Sequence, residues 1–551
     1  MPSKQKKGPI INMKKSHLRN INVAKLIFFF CVVFSIIITY FTTRICIDSD
    51  ASSELVLAEH LSKTGQILST DWFYSTELRV INTQLIYAPL FWIFDDWHLV
   101  RFFGALILQG LLIASFYFYT KLLGLEKNVF YLCSSLFLLP VSVCYGRILL
   151  YNCYYIPHIV FSLIIVGLIF TKKTGRNRAS KYIGFLALLI VSFLGGLGGI
   201  RQLMMTHIPT VLAVFIYYFI DDYINKSDDR VFEIKRCTYI VRAVCATVFS
   251  YIGFSINKGY FAQNYSFTDY SENTIKFLKN SLDQVLYGYF HHFGFRDEIK
   301  LLSVTGVLSV LGIVLGIYCI VVSVCRIISH KKEADAQKNL PFVFFISYTV
   351  VMLFVFLIVG NGYYFVLYLT PIVIWMIPVF VSELHRVPKQ LSCLNLKKIL
   401  PFAMVAIIFA NGFVNSAFLI SGEVFEQKYE GLGYKTFNAR SYITPAVSFL
   451  QENGYDLGYA EFWSSNICTE ISNGKIKMIN VNMNFNDGTF YYYDWLTLKS
   501  NRSLEDKKKF LLLSAEEYQK MAKTEELQKC EIVYKDDYYT IFDLAEHNIV
   551  K

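Results

Sequence analysis

Apolar runs of about twenty residues recur along this chain, separated by short polar or basic stretches. They cover residues 26–43, 99–120, 129–145, 154–171, 182–199, 203–220, 239–256, 302–325, 342–359, 364–382 and 399–420. Each nears the length at which a helix crosses a hydrocarbon core of about 30 Å. The pattern predicts about eleven transmembrane helices. Lys and Arg gather in alternate connections, for example Lys172, Lys173, Arg176, Arg178 and Lys181, then Lys226, Arg230, Lys235 and Arg236. Cytoplasmic loops carry this bias. Residues 1–25 hold seven Lys or Arg and no acid, so they form a cytoplasmic basic N-terminus. An odd number of crossings then puts the C-terminus outside. Residues 26–43 precede a poor cleavage site, Arg44-Ile-Cys-Ile-Asp, and read as a span rather than a signal peptide.

Three polar segments interrupt this pattern on the outer side: residues 44–98, 257–301 and 421–551. Within the first, Leu55, Leu57, Ala58 and Leu61 recur at helical spacing, which predicts a short amphipathic helix at the interface. Residues 83–94 are apolar but too short to cross, and a second interfacial or re-entrant helix is expected there. The last segment changes character. Stretches 457–462, 475–481 and 531–542 are rich in β-formers, 444–453 and 515–523 look helical, and Asn453-Gly454 and Asn473-Gly474 punctuate them. The expected fold is thus an all-α polytopic membrane domain over 26–420 with a small extracytoplasmic α/β domain over 421–551.

Composition agrees. The chain is 54% hydrophobic and 17% charged, against about a quarter charged in soluble proteins. Its net charge of +11 follows from the cytoplasmic loops, so no nucleic-acid partner is implied. The twelve cysteines show no CxxC pair and no metal-ligand spacing. Cys468 and Cys530 share the soluble segment, which makes them the one candidate disulfide.

The candidate chemistry lies in the first outer loop. Asp48 and Asp50 follow the first span, and two interpretations of them stand: caps of a helix start, or a proton acceptor at an active site. Asp48-x-Asp50 also has the form of the metal-binding motif of nucleotide-sugar enzymes, but it lies on the wrong side of the membrane for a nucleotide sugar. Arg79, Arg147 and Arg201 fall at the outer mouths of different spans, and a guanidinium suits a phosphate because its planar fork donates two hydrogen bonds. Arg201 follows Gly-Gly-Leu-Gly-Gly, where backbone can approach a ligand closely.

A first span leading directly into an outer loop with Asp50, Ala58 and Gly65 at this spacing resembles the polytopic glycosyltransferases of the GT-C fold. The likeness is to bacterial members related to protein mannosyltransferases and the aminoarabinose lipid A transferase. The phrases WFYSTELRVINTQLIYAPLF, DDWHLVRFFGALIL, GGLGGIRQLMMTHIP and GYAEFWSSNICTEISNGKI carry the resemblance further. Ala51 stands where many relatives have Glu, which speaks against a metal held by neighbouring carboxylates. The resemblance implies sugar transfer from a polyprenyl-phosphate donor, within membrane lipid, to an acceptor hydroxyl of the cell envelope, at a bacterial plasma membrane and with no obligatory cofactor or metal. It implies Asp50 as inverting base with Asp48 as substitute, and Arg201, Arg79 and Arg147 on the donor phosphate. Glu77, Tyr74, Tyr151, His291 and His292 are the candidates for binding sugar or acceptor. The rival functions are a flippase for a lipid-linked saccharide, and a polysaccharide ligase or polymerase. Few charges lie inside the spans, which disfavours the transporter.

Overall fold

The computed structural model describes residues 22–550 except 77, 172–177, 220–229, 262, 268–280, 298, 330–335, 359–364, 387–395, 422–438, 486–487, 505–506, 545–546 and 548. The first span is α1 (Val23–Ile45), begun by Asn22, whose side chain accepts from the Lys25 amide at 3.3 Å. Two residues after its C-cap Cys46, Asp48 caps α2 (Ser49–Thr64), and Gly65 closes that helix at φ 67°, in the left-handed region that favours glycine. A short strand β1 (Trp72–Tyr74) and α3 (Gln84–Leu90) complete the loop before α4 (Trp97–Leu123). Both short helices expected in this loop are present.

The remaining spanning domain runs α5 (Lys127–Phe137), α6 (Val143–Leu150), α7 (Ile156–Ile169), α8 (Arg178–Gly196), α9 (Ile208–Phe219), α10 (Arg230–Ile256), strand β2 (Ser266–Phe267), α11 (Leu282–His291), α12 (Val304–Ile328), α13 (Ala336–Ile358), α14 (Phe365–Leu369), α15 (Ile372–His385) and α16 (Leu396–Ser421). Among the described residues, eight helices are long and apolar enough to cross a membrane. The pair Val143–Leu150 and Cys153–Ile169, bent by 81°, has the form of a broken span or a re-entrant loop, and Leu203–Tyr217 is a shorter apolar helix. Eight or nine crossings among the described residues thus stand against the eleven expected.

The expected crossing 129–145 is divided. Pro140 has no amide hydrogen to donate and disfavours helix in the residue before it. α5 accordingly stops at Phe137, and Ser142 restarts the chain as α6 by accepting from the Tyr145 amide at 3.1 Å. The bend after α6 carries Asn152, Tyr154 and Tyr155, all three of them buried.

Glycines set one close packing. A Cβ on Gly196 would lie 2.0 Å from the Ser250 carbonyl oxygen, and one on Gly253 2.3 Å from that of Phe193. Within the Gly-Gly-Leu-Gly-Gly run Gly196 lets α8 touch α10, and Gly199, at φ 103°, turns the chain toward Arg201.

The C-terminal unit, residues 439–550, comprises α17 (Ala439–Glu452), β3 (Leu457–Ala460), α18 (Phe462–Ile471), β4 (Lys477–Asn484), β5 (Thr489–Tyr492), β6 (Thr497–Leu498), β7 (Lys509–Ser514), α19 (Ala515–Met521), α20 (Glu525–Gln528), β8 (Glu531–Lys535) and β9 (Tyr539–Asp543). Six strands form one mixed sheet in the order β5-β4-β3-β7-β9-β8, with β3 parallel to both neighbours. Alternation along β7 explains its apolar run. Phe510 and Leu512 face a core with Ile443, Val447 and Ile467, while Leu511 and Leu513 face another with Met521 and Leu527. Cys468 belongs to the first core and Cys530 packs on the second, so the sheet separates them and each is a free thiol.

A shared sheet and a buried ion pair are among the contacts that fix this unit to the spanning domain. A three-stranded sheet in the order β2-β1-β6 joins all three polar segments, pairing Phe73 with Ser266 and with Thr497. The second is a buried ion pair. Arg101 of α4 donates through Nε to Glu470 Oε1 of α18 at 2.8 Å and through Nη2 to Oε2, and its Nη1 donates to the Tyr151 carbonyl at 3.0 Å. Both side chains are 1% exposed. Removing one partner of such a pair strands the other charge, at a cost of about 3–5 kcal/mol. Glu470→Gln is expected to lower the temperature of thermal inactivation sharply and to speed proteolytic loss of the C-terminal unit. The pair Arg101→Met, Glu470→Leu should recover much of that stability. Equal behaviour of the single and double variants would exclude the ion pair as the clamp.

Candidate active site

A cavity of about 720 Å³ lies where the first polar loop, the ends of several spans and the C-terminal unit meet. Asp50 and Glu54 of α2 both line it, one helical turn apart and therefore on one face. Arg79, Arg201 and Lys258 line it as cations, and Met204, Phe254, Met352 and Phe356 give it an apolar wall drawn from the spanning domain. The C-terminal unit contributes Glu461, Trp463 and Trp495 among others.

The two aspartates have separate surroundings. Asp48 is saturated: Oδ1 accepts from the Ala51 amide at 2.8 Å, Asn152 Nδ2 donates at 3.2 and 3.3 Å, and Arg147 Nη2 stands 2.9 Å from Oδ2. Asp50 is looser, 3.7 Å from the same guanidinium nitrogen and 28% exposed. Burial pushes its carboxyl up to about 6, and the negative charge of Asp48 adds to the shift against the opposing pull of Arg147 and Arg79. Of the pair, Asp50 is the carboxylate free to meet a solute.

Arg79 is held by Glu54, 3.7 Å away, and over the Tyr154 ring at 5.5 Å. Glu54 also accepts from the Thr83 hydroxyl. Arg79 Nη1 is buried and has no hydrogen-bond partner among the described residues. Arg201 donates to the Tyr155 hydroxyl at 3.0 Å and lies over the rings of Tyr155 and Tyr368, at 5.3 and 5.0 Å. These aromatic cradles come from the bend after α6 and from α14, so the break in that span positions both guanidinium groups.

Other residues singled out from the sequence lie elsewhere. Arg147 is turned to Asp48 and Asp50 and is not among the lining residues. Tyr74 is buried, its hydroxyl accepting from the Ser69 amide at 2.9 Å, and Tyr151 is buried against the Arg101 clamp. His291 packs on Tyr287, with ring centres 5.9 Å apart. His292 lies 2.8 Å from the Val366 carbonyl and 3.4 Å from Ser142 Oγ. Burial lowers the basicity of both imidazoles, that of His292 to about 4. Glu77 falls outside the described residues. Sequence reasoning missed Glu54, Lys258 and the aromatic wall. Glu54 alone carried a local signal, its i+4 spacing from Asp50.

No protein-family model and no curated protein sequence matches the chain. Solved structures do match. ArnT from Cupriavidus metallidurans, bound to undecaprenyl phosphate, superposes with a TM-score of 0.53 at 8% identity, over 94% of this chain and 98% of that one. The same protein in its apo state gives 0.52 at 9% identity, over 93% and 96%. ArnT is the aminoarabinose lipid A transferase, a GT-C fold protein. The fold of this chain is therefore of the GT-C type, a multi-pass helical membrane domain followed by a small sheet-containing unit.

Proposed function

We propose that this chain is a membrane glycosyltransferase moving a sugar from a polyprenyl-phosphate donor to an acceptor hydroxyl on the extracytoplasmic face. The observation that carries the proposal is a single cavity holding a carboxylate of raised pKa, two cradled guanidinium groups and an apolar wall. The undecaprenyl phosphate carried by the ArnT structure supports a lipid phosphate as the leaving group. The alternating Lys and Arg of the loops support an outward orientation of this cavity.

In the proposed reaction Asp50 takes the proton of the acceptor hydroxyl as its oxygen attacks the anomeric carbon. The bond from that carbon to the phosphate oxygen breaks on the opposite face, giving inversion and releasing polyprenyl phosphate. Arg79 and Arg201 stabilise the negative charge that gathers on the leaving phosphate. Arg147 steadies the aspartate pair, and the wall of Met204, Phe254, Met352 and Phe356 accommodates the first isoprene units.

The base works only when deprotonated, so a raised pKa shifts the loss of activity to higher pH. Transfer from polyprenyl-phosphate sugar in membrane vesicles is expected to fall about tenfold per unit below about pH 6 and to hold above it. An ordinary aspartate would give that limb near pH 4, and a limb there would remove Asp50 as the titrating base.

A further inference from the structure

We propose that the C-terminal unit supplies a saccharide subsite to this cavity, so that the acceptor is a glycan whose terminal sugar stacks on the wall of Trp463 and Trp495. The proposal rests on the transferase function above and specifies its acceptor class.

Four aromatic side chains of the C-terminal unit, Phe462, Trp463, Tyr493 and Trp495, line the cavity and touch in series. Ring centres lie 5.1 Å apart for Phe462 and Trp463, 6.5 Å for Phe462 and Tyr493, and 6.3 Å for Tyr493 and Trp495, the last pair stacked at 12°. Trp463 is 51% exposed although its domain has two packed cores in which to bury an indole. A pyranose has one face of C–H bonds and a rim of hydroxyls. Its apolar face suits the electron-rich face of an indole, and its rim needs polar groups that both donate and accept.

Glu461 provides a polar group beside the wall. Burial, with a hydrogen bond to Glu517 and the charge of that neighbour, pushes its carboxyl up to about 8. Its proton is shared with Glu517, and its remaining oxygen sites can accept from the hydroxyl rim.

The wall is also pre-set. Leu496 has φ 47°, a conformation that a leucine rarely adopts. The turn is pinned by Asn466 Nδ2, which donates to the Leu496 carbonyl at 3.1 Å, and by Asn480 Nδ2, which donates to that of Trp495 at 2.6 Å. Strain held in place by neighbouring side chains is a mark of binding sites.

Position assigns the wall to the acceptor. Ser49 donates its hydroxyl proton to the Phe462 carbonyl, which fastens the start of α18 to the turn carrying Asp50. The guanidinium groups are instead cradled by Tyr154, Tyr155 and Tyr368 of the spanning domain. A sugar on the aromatic wall is thus held by an element that Ser49 ties to the turn carrying Asp50.

The test uses full-length protein in lipid nanodiscs and lipid-free oligosaccharides of hexose, N-acetylhexosamine and deoxyhexose, screened on an array and then titrated. Wild type and Asp50→Asn are expected to bind at least one of them. Trp463→Ala should weaken that binding about tenfold, and Trp463→Phe, which restores a ring, should recover most of it. Binding by Asp50→Asn separates the subsite from the chemistry, so failure of the base assignment leaves this result standing. No binding to any saccharide, or binding unchanged by Trp463→Ala, would overturn the proposal. A Trp463→Ala effect confined to the KM of the lipid donor would also overturn it, because the wall would then hold the donor sugar.

Discussion

Replacing Asp50 with Asn is expected to lower sugar transfer by about 10²–10⁴-fold while leaving the protein folded. The substitution keeps the shape of the side chain and removes only its ability to take a proton. It should not unfold α2, because Asp48 supplies the cap and holds Arg147 at 2.9 Å. Loss of the Asp50 charge also relieves its repulsion with Asp48. Asp48→Asn should behave differently. Asparagine caps a helix about as well as aspartate, so α2 survives. The negative charge of Asp48 is removed, however, while Arg147 still faces Asp50, and both effects pull the carboxyl of Asp50 down. Transfer by Asp48→Asn should fall less than by Asp50→Asn, with an acidic limb moved to lower pH. Near wild-type transfer by Asp50→Asn, at equal abundance in the membrane, would end the claim of that residue.

The second large effect is expected at Arg79. Its Nη1 is a buried donor with no hydrogen-bond partner among the described residues, and leaving such a donor unmatched is costly unless a ligand completes it. Arg79→Met should reduce kcat by about 10²–10³-fold, the usual cost of losing a donor aimed at developing charge. Arg79→Lys should recover only part of this, since a point charge cannot reproduce the fork over the Tyr154 ring. The loss should appear in kcat more than in the KM for donor if the contact strengthens as the phosphate leaves. A variant in which only KM rises would make Arg79 a ground-state contact.

Much of the spanning architecture was legible because a bilayer imposes one length and one polarity on each crossing helix. Residues 26–43 and 399–420 needed only composition. The short helix after Asp48 was legible too, since apolar spacing and a capping aspartate coincide there. The division of 129–145 at Pro140 was available in principle but was masked by the continuous apolar run on either side.

The candidate site was legible only in part. Asp50 was singled out through its place after the first span and through family spacing, and Arg79 and Arg201 through their charge near helix ends; all three line one cavity. What separates Asp50 from Asp48 is three-dimensional: Asn152 and Arg147 saturate one carboxylate and leave the other open. Arg147, expected on the donor phosphate, is turned to those carboxylates for the same reason. The Arg101–Glu470 clamp joins residues 369 positions apart, and the aromatic wall brings Phe462 and Trp463 against Tyr493 and Trp495 from another element. No local pattern encodes such pairs, because their energy comes from burial that only the folded chain creates. Tyr74, Tyr151, His291 and His292 illustrate the converse, since polar or aromatic residues near a site are often spent on packing and backbone hydrogen bonds.

The central claim is sugar transfer with release of a lipid phosphate, and the most direct measurement follows both products. Full-length protein in nanodiscs would be given polyprenyl-phosphate sugar, labelled separately in the sugar and the phosphate, with a saccharide that the wild type binds. The predicted result is one polyprenyl phosphate released for each sugar joined to the saccharide, with inverted anomeric configuration and with neither product from Asp50→Asn. In sealed vesicles, intact donor crossing the bilayer without release of polyprenyl phosphate would contradict the account and point to a transporter.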